Sequence, residues 1–191
     1  MSKRIGTWNA KSKAINGRKF MPKIYISGGP GSGKTTYAKK LSQELNIPCF
    51  DLDEVKWINR PNAFNLRRPK EERTALLNQI LSENQNWILE GVYFQDWIIP
   101  VIEQADKIII LKPPRRLRQY RIIKRSIRRM FHIEPKKHRE NPITLFRLLR
   151  WSHEYEKKYL PILLEKAKKE NKPVEMIERY AKIKKHYSER G

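Results

Sequence analysis

Hydrophobic positions in this chain alternate between two spacings. Short, nearly continuous apolar runs occur at Lys23-Ile24-Tyr25-Ile26-Ser27, 48–51, Trp87-Ile88-Leu89-Glu90, Lys107-Ile108-Ile109-Ile110-Leu111 and Val174-Glu175-Met176-Ile177. Runs of this length predict buried strands. Between them, apolar residues recur at three- and four-residue spacing. Tyr37, Ala38, Leu41 and Leu45 predict a helix over 33–45. Leu76, Leu77, Ile80 and Leu81 predict another over 70–84. Leu117, Tyr120, Ile123, Ile127 and Met130 predict a helix over 115–131, with those five side chains inward. Residues 94–104 read as a short helix and 143–158 as a longer one. Pro161 is placed to open a further helix to about 169, and a basic terminal helix follows the last strand. Strands alternating with helices predict an α/β three-layer sandwich: a five-stranded parallel sheet with helices on both faces. Ligands in such sheets bind at the carboxyl ends of the strands.

Residues 1–21 show no hydrophobic period and read as a basic flexible arm, leaving 22–191 as one domain. Two prolines and many charges in 132–142 predict a small surface loop that acts as a lid.

The first strand runs directly into Gly28-Gly29-Pro30-Gly31-Ser32-Gly33-Lys34-Thr35, which meets every fixed position of G-x-x-x-x-G-K-[ST]. A strand that turns through glycines into a helix N-terminus is the context this motif needs. Backbone N–H groups there wrap a phosphate, and the helix dipole favours its charge. The expected nucleotide cradle runs from Gly28 through Thr36. Lys34 would reach the β- and γ-phosphates of ATP, and the Thr35 hydroxyl would ligate Mg²⁺.

The formal net charge of +22 is unevenly spread. Residues 24–114 are neutral, whereas 115–150 carry +11 and 1–23 carry +7. Such a field favours polyanions, ATP and nucleic acid among them. No apolar run approaches the roughly 18–20 residues of a membrane helix. No apolar stretch follows the basic N-terminus as a secretory signal would require. Cys49 is the single cysteine, so no internal disulfide forms, and it reads as a small strand residue. A cytoplasmic protein without a membrane partner is expected.

Carboxylates stand at two further strand ends. Asp51 and Asp53 lie two apart, and on an extended chain they point the same way. They can hold Mg²⁺ through water, accept a proton from a substrate hydroxyl, or simply cap a turn. Glu90 precedes Gly91 and either organises magnesium-bound water or is a surface glutamate. Arg121, Arg125, Arg128 and Arg129 recur at helical spacing, and like charges stacked this way repel unless an anion offsets them.

These residues together resemble the P-loop kinases of the nucleoside monophosphate kinase superfamily, in particular the adenylate-kinase-related branch described as DNA topology modulation proteins. That branch pairs its loop with Leu-Asp, a nearby Trp, Trp-Ile-x-Asp-Gly-Asn-Tyr, Ala-Asp and Arg-x-x-x-Arg. Here these read Leu52-Asp53, Trp57, Trp87 through Tyr93, Ala105-Asp106, and Arg121 with Arg125. Glu90 and Val92 depart from the pattern. The resemblance covers roughly residues 23–165. It implies ATP binding with Mg²⁺. It implies no particular acceptor. The leading expectation is an ATP-dependent phosphotransferase that moves the γ-phosphoryl group to a nucleotide or small hydroxylated acceptor, with Lys34, Asp53, Arg121 and Arg125 catalytic. Shikimate and gluconate kinases, which carry a similar Asp-x-Asp, imply that Asp51 places Mg²⁺ and Asp53 holds the acceptor. Thr35 and Glu90 complete the expected metal environment. The competing expectation is a nucleic-acid-binding P-loop protein in which nucleotide is regulatory, and any nucleic-acid binding by the basic surface is expected to be weak and non-specific.

Overall fold

The computed structural model of the protein describes residues 22–58, 66–131 and 142–178. In chain order its elements are β1 (Lys23–Ser27), α1 (Lys34–Leu45), β2 (Cys49–Asp51), α2 (Leu52–Lys56), β3 (Trp57–Ile58), β4 (Leu66–Arg67), α3 (Lys70–Glu83), β5 (Trp87–Gly91), α4 (Ile99–Gln104), β6 (Lys107–Leu111), α5 (Arg115–Met130), α6 (Pro142–Glu154), α7 (Leu160–Lys169) and β7 (Val174–Ile177). The arm 1–21, the lid region apart from Pro142, and the terminal helix expected after β7 lie outside the described residues.

The five apolar runs form one sheet in the order β2-β5-β1-β6-β7, and every pair in it is parallel. Strand alternation divides the core in two. Ile24, Ile26, Ile88, Ile109 and Leu111 pack with Tyr37 and Ala38 of α1 on one face. Tyr25, Trp87, Leu89, Ile108 and Ile110 pack on the other with Leu77, Ile102 and Leu163 of α3, α4 and α7. Both faces of the central strands are therefore dry, which is why their sequences read as continuous apolar runs. Cys49 is half-buried in β2, and burial pushes its thiol up to about 11. It is a strand residue, as expected.

Three local features differ from the sequence reading. The chain turns helical at Leu52, directly after β2, and an antiparallel β3–β4 pair follows. Residues 96–98 form a single 3₁₀ turn ahead of α4. From α6 the helix continues through a π turn at Tyr155–Tyr159 into α7. Pro161 lies in the first turn of α7, which runs to Lys169 as expected. The proline has no N–H to offer the preceding turn, so the helix widens there instead of starting anew.

The largest difference is the rotation of α5. Tyr120, Ile123 and Ile127 were expected inward but are 59%, 40% and 42% exposed, and Leu117 is half-buried. The inward face carries Arg118, Ile122 and Ser126. The Met130 side chain lies outside the described set.

Ile110→Ala, at a fully buried position of β6, is expected to cost about 2–5 kcal/mol in urea unfolding while preserving the fold by circular dichroism.

Candidate functional site

The loop after β1 closes on itself through a Ser32 N–H bond to Gly29 O (3.1 Å) and enters α1 at Lys34. Gly31 and Gly33 adopt φ of +76° and +89°, the left-handed region that favours glycine. A Cβ on Gly31 would also stand 2.5 Å from Arg118 O.

Parallel register brings Glu90 to this loop. On β5 it lies level with Ile26 of β1 and Asp51 of β2. Glu90 is only 2% exposed, which excludes the surface reading. Its Oε1 accepts from Thr35 Oγ1 at 2.6 Å. Its Oε2 lies 4.0 Å from Lys34 Nζ and accepts no hydrogen bond. Burial raises the Glu90 pKa above the usual carboxylate range, and the nearby Asp51 and Asp53 charges add to this. Lys34 and the Thr35 hydrogen bond oppose it.

Asp51 and Asp53 are close together, though not through strand alternation. Asp51 caps α2, its Oδ1 accepting from Asp53 N–H at 2.8 Å. Asp53 lies in the first turn of that helix and accepts from the Tyr93 hydroxyl at 2.5 Å through its own Oδ1. Burial, with the Asp53 charge second, pushes the Tyr93 pKa upward, so the phenol remains a donor. Lys56 lies over the Tyr93 ring at 4.4 Å and over Trp57 at 5.4 Å. Burial lowers its pKa, Arg67 and Arg73 reinforce that effect, and the Asp53 carboxylate opposes it.

The arginine stripe splits. Arg121 Nη1 donates to Ser32 O at 3.2 Å and reaches Gly31 O at 3.4 Å. With Arg125 it lines a cleft of about 160 Å³ also bounded by Gly31, Gly33, Lys34, Thr35 and Thr36. Arg128 points to solvent. His132, His138 and the other lid residues up to Asn141 lie outside the described residues.

Sequence reasoning missed the groups that hold the loop from behind. Ser152 Oγ donates to Pro30 O at 3.2 Å, and Tyr155 OH hydrogen-bonds Ser27 Oγ at 3.1 Å. Arg118, 1% exposed, pairs with Glu156, and a Cβ on Gly29 would press on both Arg118 and Tyr155. No local motif marks these contacts, since α6 is more than a hundred residues from the loop. Tyr93 had a signal, being the last residue of the quoted strand motif.

A sequence model of the ATPase family associated with various cellular activities (AAA) matches residues 24–110, from β1 to β6. Adenylate kinase 2 of Synechocystis sp. is 34% identical over 84 residues, which cover 36% of this chain and 46% of that protein. The chain thus spans about half the length of this relative. In structure, the protein is similar to shikimate kinase from Acinetobacter baumannii in complex with shikimate. The TM-score is 0.52 at 20% identity, over 83% of this chain and 84% of that one. Shikimate kinase from Bacteroides thetaiotaomicron gives a TM-score of 0.51 at 16% identity, over 83% and 87%. The chain has the P-loop NTPase fold in its kinase-like form. Its P-loop is the segment described above.

Because the folded-state pKa of Glu90 is raised, its contribution to stability is full below the ordinary glutamate range and is lost as pH rises through the raised value. Glu90→Gln is expected to melt at a higher temperature than wild type at neutral pH without nucleotide, with the gap closing in acid. Scanning calorimetry across pH checks this.

Proposed function

We propose that this protein is an ATP-dependent phosphotransferase whose acceptor carries both a hydroxyl and an anionic group. The observation that carries the reading is the convergence of Lys34, Thr35, Glu90 and Arg121 on one glycine loop. Tight loop glycines and the orphaned Glu90 Oε2 fit a Mg²⁺–nucleotide. Among the described residues no three His, Cys, Asp or Glu side chains converge as metal ligands. Thr35, with Asp51 and Glu90 acting through water, would therefore hold an ion that is also held by phosphate oxygens. When bound, Mg²⁺–ATP supplies the transferable phosphoryl group.

The remaining roles belong to the chain. Backbone N–H groups from Gly28 to Thr36 cradle phosphate, and Lys34 neutralises its charge. Arg121 and Arg125 flank the same cleft and offset charge that spreads over the oxygens in the transition state. Tyr93 fixes Asp53 through Oδ1, leaving Oδ2 to take the proton of the acceptor hydroxyl.

An anionic acceptor is supported by a charge imbalance beside Asp53. Arg73 is 5% exposed, and its guanidinium stacks on Trp97 at 5.0 Å with Nε unbonded. Lys56 lies over two aromatic faces, and the Asp53 carboxylate is the negative charge that acts on it. A guanidinium is rarely buried unless paired, and an acceptor anion would supply the missing charge. Nucleotides and hydroxy acids both meet the requirement. The relative named adenylate kinase is consistent with the first. The ordered motifs shared with the DNA topology modulation branch support the same phosphotransfer chemistry.

The deciding experiment offers the protein γ-labelled ATP with nucleoside monophosphates, hydroxy acids, neutral sugars and alcohols. Label is expected on anionic acceptors alone. Transfer to neutral sugars, or none to any acceptor, contradicts the reading. Lys34→Ala is expected to abolish ATP binding without unfolding the protein, checked by calorimetric titration. Asp53→Asn is expected to cut kcat by about 10²–10⁴-fold with ATP affinity retained, and Arg73→Gln to raise the acceptor KM without changing the KM for ATP.

A further inference from the structure

Helix α5 is amphipathic in the reverse sense. Arg118, Ile122 and Ser126 face inward. On the opposite side Tyr120, Ile123 and Ile127 form a stripe at helical spacing, continued by Phe131, which is 71% exposed. Basic residues Arg116 and Lys124 are exposed beside it. The helix carries eight basic side chains and no acidic one, though Arg118 is buried against Glu156 and Arg121 and Arg125 line the P-loop cleft. Helix α6, packed against α5, adds Ile143 and Phe146, 62% and 67% exposed, with Arg147 and the Glu154-paired Arg150 on the same outer face. Six of the nine large exposed apolar side chains among the described residues therefore fall on two adjacent basic helices.

We propose that this outer face of α5 and α6 is a peripheral binding surface for an anionic membrane. Charge complementarity selects the occupant. A second copy would set one strongly basic face against another, and the arm 1–21 and the tail 179–191 are basic themselves. Only a polyanionic partner is matched to the charge. Between polyanions, the aliphatic residues decide. Tyr120, Phe131 and Phe146 offer rings to a base or to a headgroup boundary alike, but Ile123, Ile127 and Ile143 offer nothing for a base to stack on. They do gain from entry into the apolar zone beneath lipid headgroups, where basic residues meet the phosphates. This proposal departs from the expectation of no membrane partner. No helix among the described residues is long and apolar enough to cross a membrane, so the association proposed is with the surface. It is independent of the phosphotransferase reading, because the stripe points away from the P-loop side of α5.

The test is flotation of the full chain with vesicles of phosphatidylcholine alone, or mixed with phosphatidylglycerol. Wild type is expected to float with the mixed vesicles and not with the neutral ones. The double variant Ile123→Ser/Ile127→Ser, altered only at exposed positions, is expected to bind the mixed vesicles at least about tenfold more weakly. Its ATP affinity and melting temperature should stay at wild-type values. Absence of wild-type binding overturns the proposal. So does equal binding by the double variant, which would reduce the effect to net charge. A wild-type dimer that the variant converts to monomer would assign the face to a second copy. Loss of single-stranded RNA binding with vesicle binding intact would assign it to nucleic acid.

Discussion

The parallel register of three strands sets where charge can gather in this protein. Ile26, Glu90 and Asp51 are level across β1, β5 and β2. Two residues beyond Ile26 the chain leaves the sheet for the P-loop, and one residue beyond Asp51 it turns into α2. Glu90 is therefore delivered, buried, between the hydroxyl of Thr35 and the ammonium of Lys34. A slip of one residue would turn it to the opposite face of the sheet, against the apolar core. The carboxylate's burial is unfavourable without a cation beside it, and the P-loop supplies one.

The loop imposes a second requirement, on α5. Its carbonyls at Gly31 and Ser32 need donors, and Arg121 provides them. Gly31 leaves room for the α5 backbone at Arg118, and Arg118 is tied in turn to Glu156. The helix consequently turns a basic face toward the loop and an apolar one outward. Tyr155 and Ser152 brace the loop from α6 and the π turn. A loop held at both ends and from behind is pre-organised for phosphate, so little ordering remains to be done on binding.

The sheet was legible because central parallel strands are apolar on both faces, and three of the five strands have the bounds expected of them. The P-loop was legible because its glycines are required by backbone geometry. Periodicity correctly grouped Tyr120, Ile123 and Ile127 on one side of α5. It could not say that this side faces outward, since that depends on a polar neighbour distant in sequence. Alternation placed Asp51 and Asp53 together for the wrong reason, because the capping carboxylate of Asp51 starts a helix. Arg73, Lys56 and Tyr93 acquire meaning only when α2, α3 and the end of β5 meet.

In the proposed function Glu90, held by Thr35 and Lys34, couples the P-loop to a divalent ion. Calorimetric titration of ATP with and without Mg²⁺, on wild type and Glu90→Gln, tests it most directly. Mg²⁺ is expected to strengthen binding to wild type and to do so far less in the variant. An equal Mg²⁺ effect in both proteins, or no ATP binding by wild type, would contradict it.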